Sequence, residues 1–154
     1  MGGSTSNLSG DAAEYVDAHN AVRAAVEQPS NYPGAWEPLP PVTWSEELAA
    51  SAQAWAQQLS GSCQLQHASA GDFGENIAGG SNLSPAGAVE MWASEEAGYS
   101  FNPSYRFVAG HYTQIVWRDS TTIGCGEAEC SNGRMVIIVC RYSPPGNMIG
   151  AQPY

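Results

Sequence analysis

The chain has 154 residues and a formal net charge of −10, with 43% hydrophobic and only 13% charged residues. A composition this rich in apolar residues predicts a folded domain with a buried core rather than a disordered chain. All five basic residues are arginines and they form no cluster, which argues against a nucleic-acid-binding protein. No apolar run approaches the roughly 20 residues that a membrane-spanning helix needs.

The N-terminus has neither the charged nor the apolar region of a signal peptide. We interpret residues 1–10 as disordered or as added for expression, ahead of a single domain over residues 11–154. Alternatively, Met1-Gly2-x-x-x-Ser6 fits the loose pattern for N-myristoylation. The cysteines argue against the cytosolic address that this modification would imply.

The N-terminal half is predicted to be helical. Apolar residues at helical spacing predict a first helix over residues 11–26. The proline-rich stretch 28–41 predicts an irregular connection after it. Ser45 is the expected N-cap of a second helix, and Gly61 is expected to end it.

A glycine-punctuated segment covers residues 69–82. The dipeptide Ser84-Pro85 then predicts the start of a third helix, because Ser is a good cap and Pro suits the first helical position. An aromatic loop follows over residues 98–110.

The C-terminal third predicts a β-hairpin. Residues 123–130 and 134–142 are strand-like, and Asn132-Gly133 between them is a strong two-residue turn signal. Helices early, a hairpin late and no β-α-β alternation together predict an α+β domain.

The four cysteines are expected to form two disulfides. A two-residue turn at Asn132-Gly133 would place Cys125 opposite Cys140, within the Cα separation that a disulfide needs. Cys63 and Cys130 remain as the second pair. An even cysteine count in a small domain favours an oxidising compartment, and the absence of a C-x2-C spacing argues against a structural metal site.

Four segments in one order resemble the signatures of the CAP superfamily, which comprises cysteine-rich secretory proteins, antigen 5 and pathogenesis-related protein 1. The segments are His19-Asn20-x-x-Arg23, Gly74-Glu75-Asn76-Ile77, Gly110–Trp117 and Ile137–Asn147. The closest likeness is to the plant pathogenesis-related type, through Cys63-x-Leu65-x-His67 and the C-terminal Ile149–Tyr154. The resemblance implies a three-layer α-β-α sandwich with a central antiparallel sheet, and the same two disulfides.

The chain departs from the plant pattern at two places. Plant members carry a third cysteine pair just before the third signature, whereas residues 101–110 contain no cysteine. Arg141 stands where the family usually has Asn. The first departure implies that the aromatic loop is held less tightly.

The resemblance implies a central cleft with two His and two Glu residues: His67, Glu75, Glu95 (with Glu96 as the alternative) and His111. Two imidazoles and two carboxylates suit Zn²⁺ or another divalent cation, and they could also orient a water for hydrolysis. The alternative is a hydrogen-bonded polar network at the floor of a groove. No catalytic residue is assigned and a non-enzymatic role is expected, because the sequence offers no activated nucleophile.

His19 and Arg23 belong to the first signature and are expected to have structural roles. His19 lies beside the apolar stripe of the first helix, which predicts a packed side chain. Arg23 is expected either to pair with a carboxylate or to cap backbone carbonyls.

The first functional hypothesis is a secreted monomeric binding module, with a sterol, another small apolar ligand or an extracellular protein as its partner. The resemblance implies sterol or lipid binding and plant defence, and the aromatic loop would supply the contact surface. Its candidate ligand-binding residues are Tyr99, Phe101, Tyr105 and Phe107. The alternative is that these rings pack on the third helix as part of the core.

The second hypothesis is extracellular signalling, because Pro144–Tyr154 resembles the C-terminal defence peptide released from plant members. The alternative is a terminal arm that closes the fold. A metal-dependent hydrolase is the third hypothesis.

Overall fold

The computed structural model of the protein describes residues 10–68, 71–104 and 109–154. Its first element is helix α1 (Gly10–Ala24), and the predicted apolar stripe of this helix lies against the main core. The expectation of a disordered or added N-terminus falls mainly on residues 1–9, outside the described part of the chain. None of the helices in the described part is long and apolar enough to cross a membrane.

Helix α2 (Glu46–Ser62) begins at its predicted cap. The Ser45 hydroxyl accepts a hydrogen bond at 3.1 Å from a backbone N–H of the first turn. The prediction that Gly61 ends the helix was wrong, since Gly61 lies within the last turn. Cys63 instead takes the left-handed conformation at the C-cap, with a φ of 61°.

Helix α3 (Pro85–Ala93) also starts as predicted, with the Ser84 hydroxyl 3.0 Å from the backbone N–H of Gly87. A 3₁₀ helix (Ser94–Gly98) continues it. Helix α4 (His111–Ile115) is a single short turn that sequence periodicity did not reveal.

The four strands form one sheet in the order β1-β3-β4-β2. They are β1 (Thr43–Trp44), β2 (Gly74–Gly80), β3 (Thr122–Glu129) and β4 (Val136–Ser143). The three long strands are antiparallel, as expected, and the two-residue β1 adds a parallel edge on β3. Strand β2 lies in the glycine-punctuated segment, where no strand was predicted, because its three glycines hide the alternation typical of a strand.

The β3–β4 hairpin has the predicted register, with Cys125 opposite Cys140. Its turn differs from the prediction. The Cys130 carbonyl accepts a hydrogen bond from the Gly133 N–H at 2.8 Å. The two central residues of this turn are therefore the two before Gly133, and not Asn132 and Gly133 as predicted. Only Gly133 of the expected Asn132-Gly133 pair has a positive φ, at 70°. A type I′ turn needs positive φ at both residues, which explains the difference.

Both disulfides have the expected pairing. Cys63–Cys130 joins the end of α2 to the end of the hairpin, with the Cα atoms 5.5 Å apart. Cys125–Cys140 bridges β3 and β4, with a Cα separation of 4.1 Å. The first bond therefore ties a helical layer to the sheet, and the second staples the sheet itself.

Alternate residues of β4 face different helices. Ile137 and Val139 pack with α2 in one core cluster. Ile138, Cys140 and Tyr142 pack with α1, α3 and α4 in the other. The sheet is thus the middle of three layers, and a site at the end of β2 can draw side chains from both helical layers.

Candidate functional site

The first half of the candidate site is the pair His67–Glu75, which lies on the α2 side of the sheet. Glu75 is the second residue of β2, and His67 lies in the connection that follows α2. His67 Nδ1 and Glu75 Oε1 are 2.9 Å apart, and the same oxygen accepts the Ala68 N–H at 3.1 Å. The Glu75 carboxylate is buried while the His67 imidazole is exposed, so the His67 ring points toward solvent.

Arg141 completes this half of the site. It is the direct cross-strand partner of Glu75, and its Nε donates to Glu75 Oε2 at 3.0 Å. Its Nη1 donates to the Ser51 carbonyl at 3.2 Å, and its guanidinium lies 4.2 Å above the Phe73 ring. Sequence reasoning identified Arg141 only as a departure from the family. The β2–β4 register would have placed it opposite Glu75, but β2 was not recognised as a strand.

The second half of the site is the pair His111–Glu95, which lies on the α3–α4 side. His111 Nδ1 and Glu95 Oε2 are 2.6 Å apart. Glu95 Oε1 also accepts the backbone N–H groups of His111 at 2.8 Å and Tyr112 at 3.3 Å, so it caps the start of α4. The structure therefore brings Glu95, and not the alternative Glu96, to His111.

Partial burial alone would raise the pKa of Glu95. The hydrogen bonds from the His111 ring and from the two backbone N–H groups outweigh it and hold the pKa below its ordinary value. Glu95 is therefore a carboxylate at neutral pH.

Trp92 of α3 fixes the plane of the His111 ring. The two rings are stacked, with centroids 6.1 Å apart and planes 20° apart. Trp92 is held in turn by a hydrogen bond from its Nε1 to the Ile77 carbonyl at 3.2 Å. The Nδ1 atom of His111 is paired with Glu95 and one face of its ring packs on Trp92. This leaves Nε2 as the ring atom that can bind a ligand from outside the protein.

Three of the four candidate residues line one cavity. His67, Glu75 and His111 line a space of about 270 Å³ together with Asn76 and Asn147. Within the described part of the chain, no three His, Cys, Asp or Glu side chains converge closely enough to form a metal-ligand set by themselves. The expected tetrad is thus arranged as two His–Glu pairs, with Glu95 behind His111 and Glu75 behind His67.

A buried polar chain supports the floor of this cavity. His19 is fully buried, with Nδ1 2.8 Å from the Tyr15 carbonyl and Nε2 2.8 Å from the Tyr142 hydroxyl. A carbonyl only accepts, so Nδ1 carries the hydrogen and Tyr142 donates to Nε2. Asn76 Nδ2 then donates to the Tyr142 oxygen at 3.2 Å and to the His111 carbonyl at 3.0 Å.

Burial lowers the pKa of His19 to about 4, so the ring is neutral at neutral pH. This agrees with the expected packed, structural His19.

Arg23 caps carbonyls, which is the second of its two expected roles. It donates to the carbonyls of Pro40, Ile115, Trp117 and Arg118 at 2.7–3.2 Å. Burial, with a smaller effect of the nearby Arg118 charge, lowers its pKa to about 10, so it remains a cation. The side chain thereby fixes the chain just after α4.

The candidate aromatic loop is only partly within the described residues. Phe101 packs between Tyr32 and Tyr154, at centroid distances of 5.4 and 5.8 Å. It thus contacts the proline-rich connection and the C-terminus rather than α3. Tyr105 and Phe107 lie outside the described residues.

Tyr99 lines a second pocket beside the site. This pocket of about 330 Å³ has mainly apolar walls, and Tyr112, Gly110 and Glu95 also line it. The Tyr99 hydroxyl is buried and has no hydrogen-bond partner among the described residues. Burial, and then the neighbouring Tyr154, raise the pKa of Tyr99, so the hydroxyl stays protonated.

The C-terminal segment 144–154 is bound to the body of the protein. Asn147 Oδ1 accepts the Thr113 hydroxyl at 2.7 Å, and the Pro153 carbonyl accepts the Arg118 N–H at 2.7 Å. These contacts join the segment to α4 and to the chain that follows it.

Comparison with known proteins gives one consistent result. The sequence profile of the Cysteine-rich secretory protein family (CAP) matches residues 16–142. A pathogenesis-related protein PR-1 type of Sambucus nigra is 44% identical over 92% of this chain and 80% of its own length. Pathogenesis-related protein 1 of Arabidopsis thaliana is 42% identical over 92% of this chain and 81% of its own length.

Solved structures agree with this match. NaASP2, crystallised with Zn²⁺, superposes with a TM-score of 0.74 at 27% identity, covering 99% of this chain and 90% of its own. Na-ASP-1 superposes with a TM-score of 0.71 at 26% identity, and the match covers 92% of this chain but 40% of the longer Na-ASP-1 chain.

Proposed function

The chain belongs to the cysteine-rich secretory protein family, and from this premise we propose that it is an extracellular binding protein of the pathogenesis-related type. Its cleft holds a divalent cation between His67 and His111, and the adjoining pocket takes a small apolar ligand. The observation that carries the proposal is that both imidazoles engage Nδ1 with a carboxylate and line one cavity. The two disulfides support an oxidising compartment.

The donor set suits a transition-metal cation. Metal-binding imidazoles typically donate the second ring N–H to a carboxylate, which fixes the ring and raises the basicity of the other nitrogen. Glu75 is the carboxylate partner of His67 Nδ1, and Glu95 is that of His111 Nδ1. The two Nε2 atoms are left to bind the metal. Zn²⁺ accompanies NaASP2 in its crystal structure, and we extend the same cation to this chain.

A cation bound there would act as a Lewis acid toward a water or a ligand oxygen. The protein's own residues supply orientation. Glu95 and Trp92 fix the His111 ring, Glu75 fixes the His67 ring, and Asn76 holds the His111 backbone. We assign no catalytic residue, because none of these groups is an activated nucleophile.

The pocket at Tyr99 supports an apolar ligand that carries one polar group. Its volume of about 330 Å³ is at the small end of the range of about 300–1,000 Å³ usual for small-molecule sites. The Tyr99 hydroxyl is buried without a partner among the described residues, and a small rotation of its ring on binding would bring it to an oxygen on the ligand. A sterol, which has a rigid apolar body and one hydroxyl, has this chemistry.

The C-terminal peptide hypothesis receives less support. The segment 144–154 is held by hydrogen bonds to Thr113 and Arg118 and by the stacking of Tyr154 on Phe101. Cleavage at its start would leave these contacts in place, so the geometry favours the terminal-arm interpretation.

Isothermal titration with Zn²⁺ tests the cation site. Wild type is expected to bind one Zn²⁺ per chain near neutral pH, and the double variant His67→Ala/His111→Ala is expected to bind none. Glu96→Gln, next to the site carboxylate but not bonded to either imidazole, serves as the matched control and should bind like wild type. Wild type without measurable uptake would refute the cation site.

Binding of a fluorescent sterol tests the pocket. Tyr99→Phe removes only the hydroxyl and is expected to weaken binding about tenfold, the effect of losing one hydrogen bond of about 1.4 kcal/mol. Tyr32→Phe removes a hydroxyl outside this pocket and is the control. Equal affinity of wild type and Tyr99→Phe would remove Tyr99 from the ligand site.

A further inference from the structure

We infer that Arg141 makes the two halves of the cleft electrostatically unequal, so that Glu95 rather than Glu75 attracts the cation, and that Arg141 lowers the cation affinity of the whole site. The inference rests on the proposed cation site, because it states how that site is tuned. It concerns Arg141, which stands where the family usually has Asn.

Glu75 is already paired with a fixed cation. Its Oε2 accepts Arg141 Nε at 3.0 Å, and its Oε1 accepts both His67 and the Ala68 N–H. The side chains of Glu75 and Arg141 are only 7% and 8% exposed, so solvent screens their charges little. A cation at the outer nitrogen of His67 therefore meets a neutralised ion pair instead of a free carboxylate.

Glu95 also accepts three hydrogen bonds, but its donors are of another kind and it is 43% exposed. Its hydrogen bonds come from the His111 ring and from backbone N–H groups, so none of its donors is a guanidinium with a permanent charge. Among the described residues, no arginine is paired with it. Glu95 consequently keeps its full negative charge beside the cavity.

Arg141 is fixed where its charge acts on the site. The direct β2–β4 pairing sets its position opposite Glu75, and the Ser51 carbonyl and the Phe73 ring hold the guanidinium. It cannot swing away when a cation arrives. Its positive charge lies one carboxylate away from the His67 ring and repels a dication there.

The test is Zn²⁺ titration of a set of variants in which charges are removed one at a time. In the wild-type background, Glu95→Gln should weaken binding by about tenfold or more, and Glu75→Gln by less than about threefold. Arg141→Gln should bind Zn²⁺ at least about fivefold more tightly than wild type. In the Arg141→Gln background, Glu75→Gln should become as costly as Glu95→Gln.

Two controls separate tuning from structure. Arg134→Gln removes the same formal charge from the exposed hairpin turn and should leave the affinity unchanged. Arg141→Lys keeps the charge and should restore wild-type affinity, which a purely structural role of the guanidinium would not predict. Circular dichroism before each titration identifies folded variants, and the comparison of Glu75→Gln with Glu95→Gln stands even if Arg141→Gln does not fold.

The outcomes are distinct. Equal effects of Glu75→Gln and Glu95→Gln on wild type, or unchanged affinity in folded Arg141→Gln, would overturn the inference while leaving the cation site intact. Tighter Zn²⁺ binding by folded Arg141→Gln than by wild type, with a larger loss in Glu95→Gln than in Glu75→Gln, would support it. Uptake by neither protein would overturn the cation site and the inference together.

Discussion

The two His–Glu pairs contain the same groups but are built in opposite ways. In His67–Glu75 the carboxylate is rigid, buried on a strand and neutralised by Arg141, while the imidazole is exposed on a connection. In His111–Glu95 the imidazole stacks on Trp92 at the start of a helix, and both side chains are partly exposed, His111 at 36% and Glu95 at 43%. Identical residue types thus give one pair with a buried acid that carries a fixed cation, and one pair in which acid and base are both partly exposed.

The largest expected difference between the two pairs is in stability. Arg141→Met should lower the free energy of unfolding by about 3–5 kcal/mol, because it leaves the buried Glu75 carboxylate without its cation. Urea denaturation at pH 7 measures the effect. The matched variant Glu75→Gln/Arg141→Met removes both charges and should recover most of the loss. A loss of less than about 1 kcal/mol in the single variant would contradict the picture of a buried, dependent ion pair.

The second prediction concerns the buried hydrogen-bonded network beneath His111, and how the contribution of His19 to stability changes at low pH. The pKa of His19 is lowered to about 4 in the fold, against about 6.5 in the unfolded chain, so the unfolded state binds the proton first. His19 therefore contributes stability above pH 6.5 that is lost as the pH falls toward 4, by about 2–3 kcal/mol.

Subtracting the stability of His19→Gln from that of wild type at each pH isolates this contribution, because Gln keeps polar groups but does not titrate. The difference should be constant above pH 7 and shrink steadily below pH 6.5. A difference independent of pH between 7 and 4 would refute the neutral, buried His19. The subtraction is needed because burial and the neighbouring Asp11 raise the pKa of Glu127 to about 7, which acts in the opposite direction.

The smallest effect is expected at the exposed pair. Glu95→Gln should change the free energy of unfolding by less than about 1 kcal/mol, because solvent screens the carboxylate and Gln can still accept the backbone N–H groups that start α4. The same urea experiment measures it, with Glu96→Gln as the neighbouring control. A loss comparable to that of Arg141→Met would mean that both pairs are structural and that their contrast is only one of exposure.

Local sequence signals predicted the elements whose cause is local. Ser45 and Ser84 mark helix starts through their own hydroxyls, and the spacing of the two strand-like segments about their turn was enough to pair Cys125 with Cys140. Among the elements that were missed, β2 matters most for the site. Its glycines carry no side-chain pattern, and its strand character comes from pairing with β4.

The arrangement of the candidate site could not be predicted from the sequence. Family resemblance supplied His67, Glu75, Glu95 and His111 as a set. The pairing of each His with one Glu depends on which helical layer holds each residue, and periodicity could not separate Glu95 from Glu96 across the α3–3₁₀ junction. The role of Arg141 followed only from the β2–β4 register, which in turn depended on the missed strand.

Because Trp92 stacks on His111, tryptophan fluorescence can be used to follow the cleft. The indole is almost fully buried, lies parallel to the imidazole, and is one of five tryptophans in the chain. A cation bound at His111 would change the charge next to this indole, so we expect its intrinsic fluorescence to change on Zn²⁺ addition without any added dye. Subtracting the spectrum of a Trp92→Phe variant extracts that one signal from the other four.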